Sequence, residues 1–342
     1  MKYVLIYLVA LAALFGGAIA VADPLPMAIS GDALPFLGFL GLVVNKESLQ
    51  AAFISIKTTF NQAFDAAPSQ WQQTAMLITS TSSENSYQWL SRFPKMRKWV
   101  GDKVFKALRA FKYTVENDDF EATVAVDRND IEDDNLGILG PQVQDAGFSA
   151  KQLPDDIVDE LKNKAFTAKC YDGKAFYSDQ HKVAKATVSN KGTAALSNAT
   201  LATAKASFGA GRLAITSIKD DEGRSLKLIP GVLEVPPALE TEANMLMTND
   251  KLADGTPNPF KGMATVLLNP GLTSPTQWML HVTNRPLKPF IYQERKKPVF
   301  VSQTGMDSDD VFSRKEFKFG AEARAAGGYG LWQMSYGSTG AG

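Results

Sequence analysis

The segment FEATVAVDRNDIEDDNLG, residues Phe120 to Gly137, decides how the rest of the chain is read. In its first half Phe120, Ala122, Val124 and Val126 alternate with Glu121, Thr123 and Asp127. A period of two marks a half-buried β-strand. The second half carries Asp127, Asp130, Glu132, Asp133 and Asp134, with Arg128 among them and Ile131 and Leu136 as apolar anchors. Acidic charge this dense suits the positive end of a following helix. The segment therefore predicts a strand that hands over to a helix through a charged corner.

Such spacing invites a metal site, but the calcium-loop template fails. Counted from Asp127, the third odd position is Ile131 and no glycine stands at the sharp turn. Counted from Asp130, Asn135 takes the glycine's place and Pro141 that of the closing glutamate. A glycosidase pair would be an arbitrary choice from the cluster. A solvated or salt-bridged structural corner is the simpler reading.

Composition is that of ordinary globular material, with 45% hydrophobic and 21% charged residues in a chain of 342. Thirty-six basic residues balance thirty-six acidic ones, which argues against phosphate neutralisation as the main task. The single cysteine, Cys170, excludes an internal disulfide. The two histidines, His181 and His281, stand in no ligand-spaced cluster and read as structural or surface residues. The sequence contains no G-x-S-x-G elbow, H-E-x-x-H, C-x-x-C or Walker A motif.

At the N-terminus, Lys2, an apolar run from Tyr3 to Phe15 and the small residues to Ala22 have the form of a secretory signal. Asn45 is placed to cap a helix from Lys46 to about Phe64, with Leu49, Phe53, Ile56, Phe60 and Phe64 on one face. Trp71 to Ser80 reads as an extended arm. Two alternating segments from Phe111 to Val126 flank the polar turn Glu116–Asp119 and predict a hairpin. Pro141 suits a helix start, and Pro154 is expected to interrupt or restart a longer helix. Residues 182–195 are a loop by composition, Ser197 a helix cap, and Gly327-Gly328 a turn between the last two strands. The aromatic and basic stretch Tyr87–Gly101 could stack on single-stranded nucleic acid, but no recognition motif supports it. Arg295–Lys297 could face DNA; pairing with carboxylates at a subunit contact is the simpler expectation.

Several separated motifs, in order, resemble the major head protein of Mu-type bacteriophages, a family with the HK97-like capsid fold. They are the Phe120–Gly137 junction, the series Trp89, Phe93, Pro94, Trp99 and Gly101, the run Cys170–His181, VPPALE at 235–240, Leu287–Pro298, and SRKEFKFGAEARAAGGYGLWQMSYGS at 313–338. The resemblance covers about Val44 to Ser338. It implies an α+β fold with an extended hairpin and a long spine helix. The domain expectation is a signal-like extension at 1–43, arm, extended loop and spine helix at 44–181, an axial domain at 182–280, and strands completing the peripheral part at 281–342. The implied role is a major capsid subunit forming pentamers and hexamers around double-stranded DNA, assembled in the bacterial cytoplasm. Its expected partners are scaffold, portal and decoration proteins and, non-specifically, packaged DNA, without stable membrane association. No residue is assigned a catalytic, cofactor-binding or metal-binding role. Two alternatives stand beside this reading: a nanocompartment shell of the same fold, and a secreted or envelope protein if the N-terminal signal is real. Because residues 1–43 are apolar and carry only Lys2, Asp23 and Asp32 as charges, the mature subunit is expected to begin near Val44.

Overall fold

The computed structural model describes residues 46–87, 90, 113–127, 129, 136–305 and 309–342. The signal-like extension, Trp89 to Phe111 except Leu90, and Asp130 to Asp134 lie outside the described residues.

The alternating half of the opening segment is strand β4 (Asp118–Asp127), where Val126 is buried and Glu121, Thr123 and Asp127 are exposed. We number β1 (Ala75–Thr79), β2 (Glu84–Ser86), β3 (Thr114–Glu116), β11 (Phe290–Gln303) and β12 (Glu316–Tyr329) in chain order. One sheet has the order β1-β11-β12-β4, with β1 parallel to β11 and the other pairs antiparallel. The long β11–β12 ribbon shifts register between Glu294 and Val299, around Pro298. The register of β1 on β11 ends at Glu294, so Pro298 falls where β11 has no second strand among the described residues, which is where a strand tolerates a missing N–H.

The predicted hairpin is not formed among the described residues. Although β3 and β4 are separated only by Asn117, β3 pairs with β2 and β4 pairs with β12. Alternation and a turn signal locate strands but do not name their partners. Tyr113 is anchored instead by donation from the Tyr329 backbone N–H to its hydroxyl, 2.8 Å.

Helix α1 (Lys46–Ala66) buries Ile56 and Phe60, as the spacing predicts. It packs on helix α2 (Leu136–Lys164) and on the β11–β12 ribbon, with the Phe53 ring 5.4 Å from Phe317 of β12 and Phe60 5.2 Å from Phe300 of β11. A Cβ on Gly147 of α2 would stand 2.5 Å from the Phe60 carbonyl oxygen, so glycine permits this close helix crossing. Helix α2 begins at Leu136, ahead of Pro141, which the sequence reads as its start, and runs on through Pro154, where the sequence predicts an interruption or restart. Each proline removes one backbone donor. At the second, neighbouring Asp155 fixes the helix by accepting from the Gln70 and Trp71 N–H groups at 2.8 and 2.7 Å. Trp71 to Ser80 is accordingly no free arm: it forms a short 3-10 turn (Trp71–Gln73) and then β1.

The second sheet has the order β7-β13-β10-β8-β9. Its strands are β7 (Lys191–Gly192), β8 (Val232–Val235), β9 (Thr265–Leu268), β10 (Trp278–His281) and β13 (Ser335–Ser338). Against it lie α3 (Leu201–Ala204), a π-helical stretch (Lys205–Gly209) leading into α4 (Ala210–Thr216), and α5 (Glu240–Thr248). VPPALE passes from β8 through a 3-10 turn opened by proline into α5, as read from the sequence. Thr200, not Ser197, caps α3 in a reciprocal box with Thr203. The supposed loop 182–195 contains β7 and a hairpin of β5 (His181–Val183) with β6 (Ala186–Val188). The sequence reads as a strand from Val311 to Arg324, but Asp309–Arg314 is a short helix, α6, and β12 starts only at Glu316.

Gly327 and Gly328 lie inside β12 and make no turn. A Cβ on Gly327 would meet Leu161 Cδ1 at 2.8 Å and Ile157 Cγ2 at 2.9 Å. The glycine lets α2 lie directly on the sheet, a packing demand that mimics a turn signal in sequence. Around this contact a continuous core runs from Trp71 and Tyr87 through Ile157, Val158 and Phe176 to Trp278 and Trp332.

Candidate functional site: buried polar centres and exposed apolar faces

The buried polar side chains gather into two centres, neither of which sequence reading singled out for chemistry. The first joins α2 to the second sheet. Lys162 Nζ donates to Glu234 Oε1 at 2.7 Å and to Asp159 Oδ1 at 3.0 Å. Asn269 Nδ2 donates to the same two oxygens at 2.6 Å each. Glu234 Oε2 accepts from His281 Nε2 at 2.8 Å. Ser335 Oγ lies 2.9 Å from His281 Nδ1 and 2.7 Å from the Tyr177 hydroxyl.

Electrostatics gives this network a single direction. Burial pushes the Glu234 carboxyl up, but the Lys162 ammonium and the His281 N–H outweigh it and hold the group at about 2. Burial alone would depress Lys162; Glu234 and then Asp159 raise it above its ordinary value. Burial holds His281 below its usual value, hence neutral, and raises Tyr177. The protons then run Tyr177 to Ser335, Ser335 to His281 Nδ1, and His281 Nε2 to the carboxylate, leaving every group satisfied.

A serine, a histidine and a glutamate in hydrogen-bonded series resemble a hydrolytic triad in composition. Here all three are 0% exposed, and the serine accepts from a buried tyrosine instead of facing a substrate. The arrangement does what a buried ion pair with complete hydrogen bonding does: it fixes the register of a helix against a sheet. Sequence could not announce it, because Lys162, Glu234, His281 and Ser335 come from four separate elements.

The second centre holds Cys170, Asp172 and His181, whose donor atoms all lie within 4.8 Å of one another. Neither His181 nor Cys170 carried a ligand signal in the sequence. The turn closed by Gly173, at φ 77°, with its N–H bonded to the Cys170 carbonyl, folds the loop back toward β5. The residues Cys170-Tyr-Asp-Gly173 read as a turn from sequence alone, but their meeting with His181 does not.

At the surface, Lys296 of the basic cluster pairs with Glu322 at 3.0 Å within the same chain. A groove beside the β5–β6 hairpin is lined by Lys185, Thr187, Lys219, Asp220 and Asp221, without a histidine or cysteine. Large apolar side chains face outward on several elements: Ile54 on α1, Leu77 on β1, Phe148 on α2, Leu213 on α4 and Met245 on α5. Among the described residues no helix is long and apolar enough to cross a membrane.

The family described as Mu-like prophage major head subunit gpT matches residues 49–208, 193–272 and 269–341. The major capsid protein of Escherichia phage Mu is 31% identical over 294 residues, spanning 86% of this chain and 74% of that protein. The FluMu prophage major head subunit of Haemophilus influenzae is 26% identical over 293 residues, 86% of this chain and 73% of its own length. Among solved structures, a chain of the bacteriophage JBD30 procapsid is similar with a TM-score of 0.55 and 30% identity, covering 86% of this chain and 76% of that one. A chain of the JBD30 capsid decorated with minor capsid protein trimers gives 0.55 and 27%, covering 63% and 93%.

Proposed function

Because the chain belongs to the Mu-like major head subunit family and is a major capsid subunit of a phage virion with an HK97-like fold, we propose how it does that work. The work lies in interfaces: copies of the subunit associate into pentamers and hexamers, and these close into a shell around double-stranded DNA. The peripheral part is built on α1, α2 and the β1-β11-β12-β4 sheet, and the axial part on residues 182–280. The axial sheet also takes β13 from the C-terminal segment.

The observation that carries this reading is the set of outward apolar side chains on rigid elements. Ile54 is 60% exposed and Leu213 67% exposed, on helices whose other faces are buried in the core. Permanent interfaces bury surface of that kind. Scaffold and portal proteins are the expected assembly partners, with assembly in the host cytoplasm. A trimeric minor capsid protein like that on the JBD30 capsid is the expected decoration. Zero net charge suits a shell whose DNA contacts are non-specific and few. No positive sign of catalysis is found among the described residues.

The test is assembly of purified protein comprising residues 44–342, alone and with its scaffold, followed by electron microscopy. Capsomers, shells or tubes are expected. A subunit that stays monomeric at high concentration even with the scaffold would overturn the reading.

A further inference from the structure

The Cys170, Asp172 and His181 cluster takes no part in the function proposed above, and its hydrogen bonds ask for something more. His181 Nε2 lies 3.2 Å from the Phe176 backbone oxygen, which also accepts from Asn190 Nδ2 at 2.8 Å, so the site accommodates the tautomer that carries its proton on Nε2. In the neutral ring Nδ1 then bears a lone pair. It points at Asp172 Oδ2, 2.6 Å away, another lone-pair atom. Two lone pairs so close call for a shared proton or for a cation that both atoms can ligate.

The surroundings are those of a metal site. The other carboxylate oxygen, Asp172 Oδ1, is already oriented by the Lys174 N–H at 3.0 Å, leaving Oδ2 to serve as ligand. Cys170 Sγ sits 3.2 Å from Oδ1. The His181 ring is held flat against Trp332, with centroids 4.1 Å apart and planes 3° from parallel. A metal-binding histidine characteristically donates its other N–H to a backbone carbonyl, which fixes the tautomer. Ligand atoms around tetrahedral zinc stand about 3–4 Å apart, given bonds of about 2.0–2.3 Å. The cluster is within 4.8 Å throughout; the Asp172–His181 pair has to open from 2.6 Å and the widest separation to close by somewhat less than about 1 Å. Asp172 keeps a side-chain exposure of 15%, a route in from solvent.

We propose that Cys170 Sγ, Asp172 Oδ2 and His181 Nδ1 bind a thiophilic divalent cation of the zinc class, with water completing the tetrahedron. A sulfur, nitrogen and carboxylate set selects zinc over magnesium or calcium. Binding turns the Cys170 thiol into a thiolate bonded to the metal and releases its proton to solvent. The ion is structural. It clamps the loop that follows α2 to β5 and to Trp332, reinforcing the joint between the spine helix and the second sheet.

The chain's single cysteine makes the test direct. Metal-free full-length protein is titrated with Co²⁺ under reducing conditions. The expected result is a thiolate-to-cobalt charge-transfer band in the near ultraviolet with tetrahedral bands in the visible, saturating at one equivalent and displaced by Zn²⁺. Absence of the charge-transfer band in the unmodified chain overturns the proposal, and no variant has to fold for that outcome to count. The variants His181→Gln and Asp172→Asn should each weaken cobalt binding by at least about tenfold. Unchanged affinity in either, with near-ultraviolet circular dichroism showing a native fold, overturns the ligand set.

Discussion

Replacing Lys162 by methionine tests whether the buried network holds α2 to the second sheet. Lys162 is 2% exposed and Glu234 is 0% exposed, so the substitution leaves a carboxylate in the interior without its cation. Breaking one side of such a pair costs about 3–5 kcal/mol. The depressed Glu234 carboxyl points the same way: the Lys162 ammonium, with the His281 N–H, keeps it charged against the cost of burial. With a urea m-value of about 2–3 kcal/mol/M, the unfolding midpoint should drop by about 1–2.5 M. The assay is urea denaturation of the unassembled subunit, followed by fluorescence of the buried Trp278 and Trp332. The double variant Lys162→Met/Glu234→Gln should recover part of the loss, because an amide needs no counter-charge. A single variant that loses less than about 1 kcal/mol, or a double variant less stable than the single, would refute the argument.

The same network sets a pH dependence: Glu234 is depressed when folded, so its contribution is complete above 4.5 and is lost as pH falls toward about 2. His281, held neutral by burial, adds to acid lability below pH 6.5, while Lys162, raised above 10.5, gives stability that is lost only as pH rises through that raised value. Thermal melts of the subunit across pH should show both limbs; a Tm independent of pH below 6 would contradict this. Gly327→Ala should destabilise by about 1–3 kcal/mol through the clash with Leu161 and Ile157, measured as a fall in Tm. Tyr113→Phe should cost about 1–3 kcal/mol by leaving the Tyr329 N–H unpaired, measured by urea denaturation; an unchanged midpoint would show that this anchor contributes nothing.

What the sequence determined by itself was local. Alternation placed β4, spacing at three and four residues placed the buried face of α1, and VPPALE marked a strand passing into a helix, because each depends on neighbours in the chain. The family motifs were likewise legible as runs of residues. Tertiary structure decided whatever depends on partners. Asn117 separates two strands that look like a hairpin, yet β12 and β2 compete for them and win. Pro141 reads as a helix start and Pro154 as an interruption, but α2 packs on α1 and the first sheet and stays continuous through both. Gly327 and Gly328 look like a turn because glycine serves both loose backbone and close packing, and only the nearness of Leu161 and Ile157 shows which applies. The two polar centres lie at the far end of the same scale. Their members come from distant positions, and a histidine without a neighbouring ligand in sequence becomes part of a network only when the fold closes around it.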